Sequence, residues 1–267
     1  MSFKIGFIGA GNMGGALING IIRADIAQKD DIFVYDKDAE KVESFCAQGF
    51  NACASTLDTA KKSDYVFLCV KPQNYEEVLL ELKDDELKDK VFITIAAGIS
   101  IAYIKNMLGF DAKVIRVMPN TPLLIGYGAS AISTKEPVSQ EEFDFVKDIF
   151  ATSGICEVID ESLMNEIISI NGSSPAYFYY FIDIMANFAD SRGIDKEVAT
   201  RLIVDSMIGS AKMVVETAKT PTELINMVTS PGGTTLEAMK VFYDEDIKAI
   251  FEEAMTKCNK RADELGR

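Results

Sequence analysis

Near its start the chain places closely spaced glycines at the point where a strand gives way to a helix. The stretch Gly6-Phe7-Ile8-Gly9-Ala10-Gly11-Asn12-Met13-Gly14 follows the apolar run Phe3–Ile8 and leads into the helical pattern Gly14–Arg23. In a G-x-G-x-x-G turn the first glycine permits the tight bend, the second lets a diphosphate reach the backbone, and the third lets helix and strand pack closely. The helix N-terminus then offers unpaired amides and positive potential to the phosphates. Alone, such a spacing is a weak signal. Here Asp36 ends the next strand-like run about 20 residues further on, the position of the ribose-binding acid in dinucleotide sites. Asp36 would accept from a ribose 2′-hydroxyl and repel a 2′-phosphate, which favours NADH. Lys37 offsets that repulsion and leaves NADPH open, and a plain helix cap is the bland alternative for Asp36.

The rest of the first half extends the same pattern. Strand-like runs at Asp31–Tyr35, Tyr65–Val70, Val91–Ile95, Lys113–Met118 and Gly128–Ser133 are almost continuously apolar, as parallel strands covered on both faces require. Helical patterns at Ala39–Ala47 and Asn74–Leu82 fall between them. Alternation of this kind predicts a doubly wound parallel sheet built from right-handed crossovers. After about Ile159 the strand signals stop. Asp160 predicts a helix through Ile170, Asp195 one through about Ala218, Thr220 with Glu223 a capping box, and Asp244 or Asp246 the start of the last helix. The expected domains are therefore 1–159, dinucleotide-binding, and 160–267, all-helical.

The segment Pro175–Ser191 is apolar on nearly every side, interrupted only by Asp183 and Asn187. A helix of that kind must be buried all round. The C-terminal half is too short to enclose it, so a partner subunit is expected. Two other stretches are too polar and glycine-rich for packing alone: Asn171–Tyr177 and Val228-Thr229-Ser230-Pro231-Gly232-Gly233-Thr234-Thr235. The second reads as a hydroxyl-bearing loop that feeds a helix N-terminus, suited to a small anion such as a carboxylate.

Composition narrows the chemistry. The formal net charge of −14 opposes nucleic acid and anionic membranes. Five cysteines without a C-x-x-C argue against metal knuckles and a disulfide framework, so no metal is expected. The acidic run Asp84–Asp89 reads as a solvated surface, and Cys156 and Cys258 as small core residues. The glycine-broken N-terminus does not read as a signal peptide, and no apolar run reaches the length of a membrane helix, so a cytoplasmic location is expected. There is no histidine anywhere. Catalysis through a Ser-His-Asp or Cys-His pair is excluded, as is an imidazole proton carrier.

Several ordered motifs together give the sequence its family likeness. These are Gly6–Gly14, Val70-Lys71-Pro72-Gln73, Ala96-Ala97-Gly98, Arg116–Pro122, Gly209–Met213 and, most specific of all, Val228–Thr235. In them the chain resembles the pyrroline-5-carboxylate reductases, along nearly its whole length. The resemblance implies a Rossmann domain and a helical domain that intertwines with that of a second subunit, as a homodimer or a larger homo-oligomer. It implies that Asn12, Met13 and the turn glycines Gly9, Gly11 and Gly14 hold the diphosphate. Cys69, Val70, Lys71, Pro72 and Ala97 would line the NADPH or NADH cleft, with Asn120 near the nicotinamide. Ser230, Gly232, Gly233 and Thr234 would bind the substrate carboxylate, and the Thr235 hydroxyl would lie beside the ring nitrogen. The chain departs from the family at Asn171 and Ser174, where the usual reading is S-G-S-G-P-A-Y, and around Tyr243, where a glutamate is common.

The missing histidine suits this chemistry. A cyclic imine that arrives protonated is an excellent hydride acceptor and needs positioning more than a strong acid, whereas a carbonyl needs a real proton donor. Two other readings compete. A 3-hydroxyacid dehydrogenase would use a lysine early in the second domain, yet no lysine occurs between Lys147 and Lys196. A non-catalytic NAD(P)H-binding regulator would have no use for the loop Thr229–Thr235.

Overall fold

The computed structural model describes residues 3–266. Eight strands form one sheet: β1 (Ile5–Ile8), β2 (Ile32–Tyr35), β3 (Asn51–Ala52), β4 (Tyr65–Leu68), β5 (Val91–Thr94), β6 (Lys113–Met118), β7 (Gly128–Thr134) and β8 (Gly154–Val158). Their spatial order is β3-β2-β1-β4-β5-β6-β7-β8. The chain winds outward from β1, then returns to β4 on the other side. That reversal leaves a crevice at the carboxyl ends of β1 and β4, the place where open α/β sheets bind ligands. Helices α1 (Asn12–Arg23), α2 (Ala39–Ala47), α3 (Thr56–Lys61), α4 (Tyr75–Glu81), α5 (Ile101–Leu108) and α6 (Gln140–Ala151) connect the strands.

Successive strand residues point to opposite faces. Phe7 and Phe67 belong to one core with Leu17, Ile18, Ile149 and Phe150. Their neighbours Ile8 and Leu68 belong to the other core with Tyr75, Leu79 and Ile104. Both faces are buried, which explains the unbroken apolar runs. Phe7 and Phe67 stack at 4.8 Å across β1 and β4.

One strand runs against the expected direction. β7 is antiparallel to β6, pairing Ile115 with Thr134 and Val117 with Ile132. The link between them, residues 119–127, is shorter than the roughly 12 residues that a parallel crossover needs. β8, reached through α6, pairs parallel with β7.

Beyond β8 the described chain is helical, with α7 (Ser174–Ser191), α8 (Lys196–Glu216), α9 (Pro221–Val228), α10 (Thr234–Asp244) and α11 (Ile247–Leu265). Asp195 caps α8 through the Val198 amide. Thr220 and Glu223 form the capping box of α9. The last helix opens after Asp246, whose side chain accepts from the Ala249 amide at 3.2 Å. The helix expected from Asp160 through Ile170 does not form as one piece. Asp160 caps only the turn Glu161–Leu163, and Ile168–Gly172 adopts a π-helical turn.

Contacts divide the chain into two compact units, one up to Ser173 plus the stretch from Lys257 on, the other Ser174–Thr256. In the first, buried Arg116 of β6 stands 3.9 Å from the Glu161 carboxylate. It also donates to Asn165 Oδ1, and Asn165 donates in turn to Asp263 at 2.7 Å. Desolvation pulls the pKa of the Arg116 guanidinium down, and Glu161 opposes that pull. Gly98 packs so tightly on the end of α11 that a Cβ there would lie 2.4 Å from the Ala262 carbonyl oxygen.

In the second unit α7 packs on α8, and the Phe181 ring stacks on Phe251 at 5.7 Å. The apolar surface of α7 is nonetheless left open: Phe178, Tyr179, Tyr180, Ile184, Met185 and Phe188 are 45–66% exposed in the single chain. Contiguous exposed apolar area of this kind marks an association surface.

Candidate active site

The glycine turn has the geometry that its spacing demands. Gly9 adopts φ +105°, and a Cβ there would meet the Cys69 backbone at 2.8 Å. A Cβ on Gly14 would lie 2.3 Å from the Gly9 carbonyl oxygen, so α1 can approach β1 only because position 14 lacks a side chain. Gly11 differs, since a Cβ there would meet no atom within 4 Å. It faces open space, forms the N-cap of α1 without any side-chain hydrogen bond, and no acidic residue occupies the first turn. The first amides of α1 and their positive potential are therefore open to an anion.

A cleft of about 620 Å³ opens at this point, lined by Gly9, Gly11, Asn12, Met13, Asp36, Cys69, Val70 and Lys71 from the expected set. An extended dinucleotide needs such a trough beside an uncapped helix start, so the residues present fit the cofactor. Gly14 lies behind the turn, and Pro72 begins the short turn Pro72–Asn74 at the rim. The sequence reading gave no cleft role to Lys41 of α2, Thr56 of α3 or Gln73, Asn74 and Glu77 beside them, all on the cleft wall. Their position at the carboxyl ends of the strands was the available signal. Burial pushes the Cys69 thiol far above its ordinary range, so it serves as neutral, small lining.

Asp36 does not cap α2, since Asp38 does so through the Glu40 amide. The Asp36 carboxylate instead accepts from the Ala10 amide at 2.8 Å and from the Asp38 amide at 2.9 Å.

Ala97 and Asn120 follow β5 and β6 and are not among the cleft-lining residues. Asn120 Oδ1 accepts from the Ala129 amide at 2.9 Å, and its Nδ2 donates to the Asn171 carbonyl at 3.2 Å. Asn171 returns the contact, its Nδ2 donating to the carbonyls of Met118 at 2.8 Å and Ala129 at 3.0 Å. The residue that departs from the family pattern thus bridges β6 and β7 where they separate. Asn171→Ala leaves two carbonyls without that donor. We expect a loss of about 1–3 kcal/mol, read as a lower denaturant midpoint, with Asn171→Ser intermediate. A loss below 0.5 kcal/mol would show that water replaces the bridge, taking ~0.5 kcal/mol as the smallest useful difference.

In the second unit Thr229 ends α9 with its hydroxyl donating to the Ile225 carbonyl at 2.9 Å. The chain reverses through Gly232 at φ +73°, and Gly233 N-caps α10 without a side-chain hydrogen bond. Thr234 and Thr235 are the first two residues of α10. Ser230, Gly232, Thr234 and Thr235 are exposed and Gly233 is half-buried. Hydroxyls and open helix amides in this arrangement are chemically suited to a small carboxylate.

The chain is similar to known proteins. The model of the pyrroline-5-carboxylate reductase dimerisation region matches residues 161–265, and the model of NADP oxidoreductases, coenzyme F420-dependent, matches residues 4–98. The pyrroline-5-carboxylate reductase of Escherichia coli (strain K12) is 39% identical over 268 residues, covering 100% of both chains. Among solved structures, the Plasmodium falciparum pyrroline carboxylate reductase with NADP bound superposes with a TM-score of 0.90 at 30% identity, over 99% of this chain and 98% of that one. The Coxiella burnetii pyrroline-5-carboxylate reductase gives 0.88 at 31%, over 100% of each chain.

Proposed function

The chain belongs to the pyrroline-5-carboxylate reductase family, and we propose that its two glycine-bearing turns divide one reaction, the first holding the nucleotide and the second the acid. It is an NAD(P)H-dependent reductase that converts 1-pyrroline-5-carboxylate to L-proline, the last step of proline biosynthesis. The likeness along the whole chain carries this reading. Its C-terminal region is a dimerisation region, so the protein is a homo-oligomer. The finer assembly that we propose is a homodimer with intertwined C-terminal helices, working in the cytoplasm without nucleic acid or membrane partners. The open apolar surface of α7 supports the pairing. No helix among the described residues is long and apolar enough to cross a membrane.

In this proposal Gly9, Gly11, Asn12, Met13 and Gly14 seat the diphosphate at the start of α1. Cys69, Val70, Lys71, Pro72 and Ala97 bound the cofactor site, and Asn120 steadies its nicotinamide end. Ser230, Gly232, Gly233 and Thr234 hold the substrate carboxylate through hydroxyl and amide donors, with the N-terminal potential of α10 behind them. Thr235 Oγ1 donates or relays one hydrogen bond at the ring nitrogen. The bound cofactor supplies hydride to the imine carbon. A protonated imine asks little more of the protein than orientation and exclusion of water, which explains how a chain without histidine can work.

Oxidation of NADH and NADPH, compared side by side with pyrroline-5-carboxylate, tests the activity, and no oxidation of either would sink it. Thr235→Val should lower kcat/KM about 10- to 100-fold, the cost of one lost hydrogen bond in a desolvated site. An unchanged kcat/KM would remove Thr235 from the mechanism.

A further inference from the structure

We infer that Asp36 clamps the glycine turn rather than barring a 2′-phosphate, and that Lys37 and Lys41 decide between the nucleotides in favour of NADPH. The inference rests on the nucleotide-binding part of the function above. An acid at the end of the second strand selects NADH when its charge is free, because a free carboxylate repels the dianionic 2′-phosphate. Asp36 is not free. Its Oδ2 is taken by the Ala10 amide, inside the glycine turn itself, and its Oδ1 by the Asp38 amide. Lys41 Nζ stands 3.7 Å from the same Oδ1, and only 11% of the Asp36 side chain is exposed. Two amides and a cation thus spread the negative charge.

The cations are the mobile part. Lys41 lies 3.7 Å from Asp36 and 3.4 Å from Asp38, both longer than the ~2.7–2.9 Å of a charge-assisted hydrogen bond. The Lys41 side chain is 45% exposed, and its ammonium, not committed to either acid, is available to a stronger anion. Lys37 is exposed on the cleft rim, and no ion pair of Lys37 occurs among the described residues. Both sit beside the N-terminus of α2, whose potential adds to theirs. Glu77 and Glu81 of α4 also face the cleft, and their charge limits the advantage to a preference. NADH retains a site, because a carboxylate has about four acceptor positions and Asp36 has two amides on it.

The test uses the full-length protein and the fluorescence of bound NADPH and NADH, without imine acid. The parent should bind NADPH at least as tightly as NADH. The double variant Lys37→Ala/Lys41→Ala should raise the ratio of Kd for NADPH to Kd for NADH by roughly 10-fold or more, about the loss of one charged contact, and Lys37→Arg/Lys41→Arg should restore it. Asp36→Asn should weaken both nucleotides together, because the turn loses a charged clamp. A gain in NADPH affinity of ~10-fold in Asp36→Asn would show that the acid is a barrier after all, and would overturn the assignment, as would a double-variant ratio within about twofold of the parent. The expected binding pattern without turnover of pyrroline-5-carboxylate would leave this assignment standing and sink the reductase reading instead.

Discussion

In Gly11→Ala protein we expect affinity for the reduced nucleotide to fall about 100-fold, roughly 2.7 kcal/mol, while stability stays within about 1 kcal/mol of the parent. The added methyl meets nothing within 4 Å, and φ −73° with ψ −171° suits alanine. The same methyl would fill open space at the start of α1, where the proposed diphosphate has to approach the backbone. Gly14→Ala should lose both properties. Its methyl would lie 2.3 Å from the Gly9 carbonyl oxygen, a backbone atom with no rotamer to escape into, so α1 must lift from β1. Overpacking of this kind costs about 1–3 kcal/mol or more. Calorimetric titration with thermal unfolding separates the two. If Gly11→Ala bound nucleotide as the parent does, the diphosphate would not cross this turn.

The second large effect is structural. Arg116→Ala should destabilise the first unit by about 3–5 kcal/mol, because removal of one partner leaves buried groups uncompensated. Glu161 keeps the Ile101 amide at 2.8 Å and Lys135 at 2.8 Å, but Asn165 Oδ1 loses its donor, so the bond that Asn165 gives to Asp263 is no longer tied to β6. For a chain of this size the thermal midpoint should drop by roughly 10 °C, compared at one protein concentration because the protein is an oligomer. Arg116→Lys should recover less than half, since an ammonium cannot reproduce the guanidinium fork. A loss below about 1 kcal/mol would mean that the buried pair is worth no more than its desolvation.

What the sequence disclosed follows from where the constraint is local. Glycines at 9, 11 and 14 were legible because backbone approach alone dictates them. The apolar strands were legible because burial on both faces leaves no alternation. The direction of β7 was not, since periodicity carries no direction and only the shortness of residues 119–127 implied it. β3 has only two residues and Glu157 interrupts the apolar residues of β8, so neither reads as an unbroken apolar strand. Asp160 looked like a helix start because a cap is a local feature. The side chains that follow it are engaged by Arg116 and by Asp263, 98 residues beyond Asn165.

The site was partly legible for the same reason. Lys41 reads as an ordinary solvated lysine until β2 and the glycine turn are brought together. Asn171 reads as a departure from a family pattern, and only the diverging ends of β6 and β7 show what its longer side chain does. Asp36 was found by its spacing, but the Ala10 amide that occupies its carboxylate lies 26 residues away.

The end of α11, wedged against Gly98, sets the order of events during synthesis. The ribosome must translate the whole segment Ser174–Thr256 before the residues that finish the first unit exist. At roughly 5–20 residues per second that is a wait of several seconds. Through that interval the first unit lacks the helical stretch that packs on Gly98.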